Sequence, residues 1–343
     1  VELPPWRRWL ITAGSAFATL SVLAMLGAIV FLWLYQGPGP KAPAGNSTTV
    51  VLQPGSSVGQ IADTLKQAHV IGSAQLFELA AHLGGAGRRL KAGEYEFPSR
   101  ASAAVVMDKI RRGDIVHHTV TIAEGLTSEQ AVDILMANTV LSGAAPVPAE
   151  GSILPETYEV RRGEDRAEVL QRMMEAHDTL LRALWSQRRA DLPLKSPEQA
   201  VILASIVEKE TGVASERPRV AAVFVNRLQK GIRLQSDPTI IYGLTRGKPL
   251  GRGIRASELA APTPYNTYQI DGLPPTPICN PGRAAIAAVL DPPQTNDLFF
   301  VANGQGGHSS FASSLDEHNK NVEHYRSVEQ TRSAQAAGLA GRR

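Results

Sequence analysis

The chain has 343 residues, room for more than one domain, and 43% of them are hydrophobic, enough to bury a sizeable core. Charged residues make up 20%, with a formal net charge of +3, and no aromatic–basic or zinc-finger pattern accompanies that mild excess, so a nucleic-acid partner is not expected. The single cysteine, Cys279, excludes an intrachain disulfide and a thiolate metal cluster.

Residues 10–35, LITAGSAFATLSVLAMLGAIVFLWLY, carry no charge. A helix of about 25 residues rising ~1.5 Å each spans roughly 37 Å, which crosses a ~30 Å hydrocarbon layer with some tilt. Trp6 and Trp9 flank one end and Trp33 and Tyr35 the other, as an aromatic belt requires. Arg7 and Arg8 precede the span, so the positive-inside bias places residues 1–9 in the cytoplasm and everything after Gln36 outside. A cleaved signal peptide has a shorter apolar region, roughly 7–15 residues. Residues 36–47, rich in Pro and Gly, read as a linker.

Two stretches then repeat one pattern. Residues 49–65 read TVVLQPGSSVGQIADTL and residues 119–135 read TVTIAEGLTSEQAVDIL. Each offers a β-rich run, a turn at Gly55 or Gly125, and a capping-box spacing, Ser57 to Gln60 or Thr127 to Gln130, where a helix should begin. Two unrelated β-turn-α units would look the same. Between them lie a helical segment (74–83), a short strand (93–97) closed by Pro98, and a helix over 103–112 ended by Gly113. We expect a small α+β module over 48–116 and a larger α+β domain over 117–326. Within the latter, residues 139–152 read as a loop and 164–185 as an amphipathic helix. Residues 327–343 show no apolar face and are expected to form a flexible tail.

The most informative stretch is ILASIVEKETG, residues 202–212. Ser196, Pro197 and Gln199 supply N-cap, N1 and N3 of a helix, and the run from Ala200 to Val207 is apolar all round, as in a helix enclosed by protein. Glu208 and Glu210 therefore fall in the last turn before Gly212. The macrodipole is negative there and the surroundings apolar, and both effects favour a neutral acid. A carboxylic acid held protonated near neutral pH is what a general acid requires. Residues two apart on a helix point about 200° away from each other, so one of the two should act. Glu208 lies over Val201, Ala204 and Ser205, small residues expected to leave room for a ligand. A solvated helix end, with Lys209 between two wet carboxylates, is the plain alternative.

Further on, Ser215 is placed to cap a helix over 216–230. Three loops follow: Arg233 to Thr239 with Gln235 and Asp237, Pro264 to Tyr268 with Tyr265, Asn266 and Tyr268, and the Pro-stiffened run 272–278. Exposed aromatic faces and amides on rigid loops suit a sugar polymer. His308, His318, His324 and the His117–His118 pair lack the helical i,i+4 zinc spacing, so neither metal nor cofactor is expected.

Five stretches together carry a resemblance: EGSILPETY (150–158), ILASIVEKETGVASER (202–217), VFVNRLQKGIRLQSDPTIIYG (223–243), PYNTYQIDGLPPTPICNPG (264–282) and GGHSSFASSLDEHNKNV (306–322). They are similar to the endolytic murein transglycosylase family, the MltG or YceG-like proteins. The resemblance implies a lytic transglycosylase acting on peptidoglycan glycan strands, with a LysM-like fold for the small module. It puts Glu208 in the catalytic position and Asn226, Gln235, Asp237, Tyr265, Asn266, Tyr268 and His308 on stretches that would touch substrate. It also implies a single-pass protein of the cytoplasmic (inner) membrane with its catalytic domain on the periplasmic side, and makes peptidoglycan synthases candidate partners. On this reading Glu208 protonates the bond between MurNAc and GlcNAc, then takes the proton of the MurNAc C6 hydroxyl, giving a 1,6-anhydro end. Two alternatives stand beside it. A hydrolytic muramidase would need a second carboxylate, with Asp237 and Asp271 as candidates. A tethered cell-wall binding protein would need no desolvated acid.

Overall fold

A computed structural model describes residues 5–85 and 89–340, and side chains from residue 9 to residue 332 outside the 86–88 stretch. The side chains of Trp6, Arg7 and Arg8, the middle of the loop after Leu83 and the last three residues lie outside the described residues. The chain divides into two compact units, Val1–His118 and Thr119–Arg343.

The first unit begins with helix α1 (Pro5–Gln36), within which Trp9–Gln36 is long and apolar enough to cross a membrane, with a mean hydropathy of 2.3 and its most apolar stretch uncovered by protein. Then come β1 (Ser47–Leu52), α2 (Val58–Gln67), α3 (Ala74–Leu83), β2 (Gly93–Pro98) and α4 (Ala103–Arg112). β1 and β2 pair antiparallel from Ser47↔Pro98 to Leu52↔Gly93. Alternate residues, Val50 and Leu52 on one strand and Tyr95 and Phe97 on the other, point into the core with the period of two that a strand imposes. They meet Leu65, Phe77 and Ile110 from the three helices. Val116 donates its N–H to Glu94 O at 2.7 Å and His118 Nε2 lies 2.6 Å from Glu94 Oε2. These bonds hold residues 116–118 to β2, so the first unit runs slightly past the expected boundary at 116.

The second unit contains β3 (His118–Thr121), α5 (Ser128–Ala137), β4 (Thr157–Val160), α6 (Arg166–Ser186), α7 (Pro197–Glu210), α8 (Arg217–Gln229), α9 (Asp237–Thr245), the single turn α10 (Ala256–Ala260), α11 (Arg283–Leu290), β5 (Phe299–Ala302), β6 (Ser309–Ala312) and α12 (Leu315–Ala340). Among the described residues the strands form three two-stranded sheets, β1–β2, β3–β4 and β5–β6. The chain is a mixed helix–sheet protein in which helices dominate.

α7 is the axis of the second unit. Every residue from Ala200 to Val207 is buried, and α6, α8, α9 and α11 pack around them. Leu203, Ile206 and Val207 are fully enclosed. Each such side chain stabilises the fold by roughly 1.5–3 kcal/mol through burial. Ser196 caps the helix through Gln199 N, and Pro197 occupies N1. Gln199 turns its side chain to Lys195 N instead of the cap, so the box is only half made.

The turns of the repeated pattern are alike. Gly55 and Gly125 both sit at φ +79°, a left-handed conformation that suits glycine. Both helices that follow start with a complete capping box, Ser57 with Gln60 and Thr127 with Gln130. One expectation is corrected. Ser215 stands exposed outside α8, and Glu216 occupies the N-cap position without capping it; the Glu216 carboxylate instead accepts Ser309 N–H at 3.0 Å. The segment from Ser327 is helical through Ala340. It extends an existing helix with good helix formers and needs no new nucleus.

Candidate active site

The end of α7 places its two carboxylates in different surroundings. Glu208 is 6% exposed. Its Oε2 accepts the backbone N–H of Gly282 at 2.8 Å, and its Oε1 lies 3.3 Å from Arg217 Nη2. Arg217, the first residue of α8, is itself buried, and the same nitrogen lies 3.7 Å from Glu124 Oε2. Glu124 stands in the turn before α5 with its carboxylate against Gly282, where a Cβ would collide with it. Glycine at 282 is therefore a condition of the arrangement. Lys209 reaches across to Gly125 O at 3.3 Å and ties the same turn to the helix end.

Burial raises the Glu208 carboxyl above the ordinary range; the Gly282 N–H, Arg217 and Lys209 pull it down and the Glu124 charge pushes it up. The net direction is upward, which favours the protonated acid relative to an ordinary carboxylate. The groups that pull it down would stabilise the carboxylate once that proton has left. This is the balance an acid that must also act as a base needs.

The walls are held by Asn280. Its backbone N–H and side-chain amide both donate to Leu126 O, and its Oδ1 accepts Ile153 N–H at 3.0 Å. One residue thus joins the Glu124 turn, the 150–153 segment and the loop that carries Gly282. Ser205, one turn below Glu208, accepts Ile278 N–H at 3.0 Å, and Cys279 Sγ donates to Ser205 O. The small residues beneath Glu208 therefore admit this loop. They do not leave the open space expected of them, because Ala204 and Ser205 are both fully buried.

Glu210 points elsewhere. Ser236 Oγ donates to its Oε1 at 2.5 Å, and burial raises its carboxyl as well, with Asp237 adding to the effect and Arg227 opposing it. Desolvation alone therefore does not choose between the two glutamates. Glu210, Arg227, Gln235, Asp237, Tyr268 and His318 line a separate cleft of about 420 Å3. Tyr268 donates its hydroxyl to Asp237 Oδ1 at 2.7 Å, and Gln235 adopts φ +52° beside them.

The other residues expected at the substrate divide differently. Asn266 is fully buried, and its amide donates to Glu258 O, Leu259 O and Ala261 O. Tyr265 is buried too, edge-on to Tyr242 and bonded to Thr276 Oγ1 at 2.8 Å. The expectation that both are exposed is corrected: a loop that reverses this tightly needs its carbonyls satisfied from within. Asn226 holds Thr295 O and Asp297 O. His308 is exposed, with Nδ1 2.9 Å from Glu216 Oε1. Asp271 is 83% exposed and paired with Arg233. Neither Asp237 nor Asp271 is among the groups bonded to Glu208. The carboxylate that shares a partner with it is Glu124, which the sequence reading did not single out. Its signal was present: in the repeated pattern Pro54 stands where the second copy has Glu124.

A buried acid between two tied loops is the equipment of a general-acid enzyme. A family model described as the YceG-like family matches residues 50–324, and the chain belongs to that family. The endolytic murein transglycosylase of Bacillus subtilis (strain 168) is 29% identical, over 79% of this chain and 82% of its own length. That of Streptococcus pneumoniae serotype 2 is 26% identical over 91% of this chain, which spans only 62% of that longer relative. A solved structure of a yceG-like protein from Listeria monocytogenes superposes with a TM-score of 0.50 at 30% identity, covering 81% of this chain and 99% of that one.

Proposed function

We propose that the chain is a membrane-anchored lytic transglycosylase that cuts the MurNAc–GlcNAc bond of peptidoglycan strands, with Glu208 as acid and then base. The observation that carries this reading is the desolvated Glu208 between Gly282 N–H and Arg217. The name endolytic murein transglycosylase borne by the Bacillus and Streptococcus relatives supports the substrate and favours cutting within strands.

In the first step the Glu208 proton passes to the bridging oxygen as its bond to MurNAc C1 breaks. Gly282 N–H and Arg217 hold the resulting carboxylate without reorganising. In the second step that carboxylate takes the proton of the MurNAc C6 hydroxyl, and the C6 oxygen closes on C1. Glu208 ends as it began, protonated, and no water is consumed. Glu210 shapes the neighbouring cleft, where Gln235, Asp237 and Tyr268 are the residues we assign to substrate contact, with His308 on the hairpin beyond. Asn226, Tyr265 and Asn266 brace the loops.

α1 serves as the anchor, with Arg7 and Arg8 keeping the N-terminus in the cytoplasm and the rest of the chain on the periplasmic side. The order β1–α2–α3–β2 with antiparallel strands supports a LysM-like reading of the small module. Residues 117–326 form the catalytic domain, and a peptidoglycan synthase near the anchor is a candidate partner.

One observation favours a second reading. Glu124 and Glu208 share Arg217 Nη2 at 3.7 and 3.3 Å, so their oxygens are at most about 7 Å apart, below the roughly 9.5 Å upper limit of hydrolase carboxylate pairs. A muramidase would use Glu124 as its second group. Digestion of purified glycan by the full chain and by Glu208→Gln tests the main reading. Anhydro-ended fragments from the first and none from the second support it; fragments of equal yield from both would end it.

A further inference from the structure

Leu79 and Leu83 stand one turn apart on α3 and are 49% and 72% exposed. The inward side of the same helix is already served by Phe77 and Ala81. What these two leucines face follows from how α3 and α4 sit against α1. The last turns of α1 pack on both helices. The linker that leaves α1 bonds at Gly39 and Pro40 to Arg100, just before α4 begins. Gly37 to Pro40 share a groove of about 440 Å3 with Ser73, Leu76 and Ala103, the first turns of α3 and α4. Tyr35 shares another, of about 290 Å3, with Ala80 and Gly84 of α3 and with Ala104, Asp108 and Arg111 along α4. Leu34 lines the first groove and Tyr35 the second, so both helices lie against the last turn of α1.

The C-terminal end of α4 and the loop that follows α3 are basic. Arg111 and Arg112 close α4 and share one carboxylate, Asp108, at 2.9 Å each. Lys91 Nζ donates to Arg112 O at 3.0 Å, and Arg89 stands exposed in the same loop. With Lys109 and its partner Asp114 included, five cations stand against two acids beside an exposed leucine pair, where an apolar helix ends. Apolar side chains under a basic rim are the composition of a surface that lies in a bilayer interface.

We propose that this end of the first unit rests on a phospholipid bilayer, with Leu79 and Leu83 in the interfacial layer and Arg89, Lys91, Arg111 and Arg112 against anionic headgroups. The proposal rests on α1 spanning the membrane and adds a second point of contact. It makes the small unit a membrane-seated module.

The test uses the full chain in vesicles of neutral and anionic phospholipid with brominated acyl chains. An environment-sensitive label is placed by Ala24→Cys in α1, Leu83→Cys, or Gln75→Cys, an exposed position at the other end of α3. The native Cys279 is fully buried and stays unlabelled in the folded chain. A label ~5–10 Å into the interface should lose about half its emission to bromine at position 83, and none at 75. Replacing the anionic lipid by neutral lipid should weaken quenching at 83 and leave position 24 unchanged. Quenching at 24 with none at 83 overturns the proposal and leaves the anchor standing. No quenching at 24 removes the anchor and the proposal with it. A blue shift at 83 that follows protein concentration and ignores bromine would assign the leucines to a second copy of the chain and also overturn the proposal.

Discussion

Replacing Glu124 by Gln removes one charge beside Glu208 and keeps the shape of the turn. Two unit charges no more than about 7 Å apart interact by at least roughly 2 kcal/mol at an effective dielectric constant of ~20. The Glu124 side chain is 43% exposed, so solvent screening leaves about 1 kcal/mol of that. The sign follows from the charge: Glu124 disfavours ionised Glu208, so its removal lowers the Glu208 pKa, and Arg217, freed of its second partner, pulls the same way. The protonated acid is then lost at a lower pH. The alkaline limb of the rate–pH profile should move down, and activity on that limb should fall about fivefold, the factor that ~1 kcal/mol represents. The acidic side should change little, and the anhydro product should persist. Glycan release measured from pH 4 to 9 for both chains reads this directly. A limb that stays in place or moves up would refute the electrostatic role. A loss of ~10²–10⁴ at every pH would instead give Glu124 a proton-transfer role of its own.

Three further outcomes follow from the same geometry. Glu208→Gln should lose at least ~10²-fold in turnover. Its melting temperature should match wild type below the ordinary carboxyl range and equal or exceed it above, because a carboxyl whose folded pKa is raised loses stability as pH rises from its ordinary value through the raised one. Asn266→Ala should cost about 1–2 kcal/mol by chemical denaturation, since three half-buried carbonyls lose their donor; a drop in substrate affinity at unchanged stability would return this residue to the cleft. A reporter active only in the cytoplasm, fused after Arg343, should stay silent, and a strong signal would reverse the orientation proposed for α1.

Local rules made much of the fold legible. Capping boxes at Ser57 and Thr127, the left-handed Gly113 and the apolar run through α7 marked helix starts, stops and burial with purely sequential signals. Glu208 was legible for the same reason: a carboxylate at the end of a buried helix is a conflict visible within one turn. What surrounds it was not. Arg217 follows nine residues later on another helix, Glu124 comes from 84 residues earlier and Gly282 from 74 later, and only tertiary folding brings them to one carboxyl. The loops misled for a related reason. Tyr265 and Asn266 have the composition of a wet, sugar-facing surface, yet a tight turn consumed their polar groups internally. Ser205 and Ala204 read as space for a ligand, and a loop from 73 residues further along filled it.

Whether Glu208 works alone decides the mechanism, and the oxygen at the new sugar end reports it. The measurement is mass analysis of glycan fragments produced by the full chain in water enriched in heavy oxygen. An intramolecular attack by the C6 hydroxyl gains from proximity and needs no water, so the new ends should be 1,6-anhydroMurNAc, one water lighter than hydrolysed ends and free of label. Reducing MurNAc ends carrying solvent oxygen would contradict the lytic account and establish hydrolysis, with Glu124 as the second carboxylate.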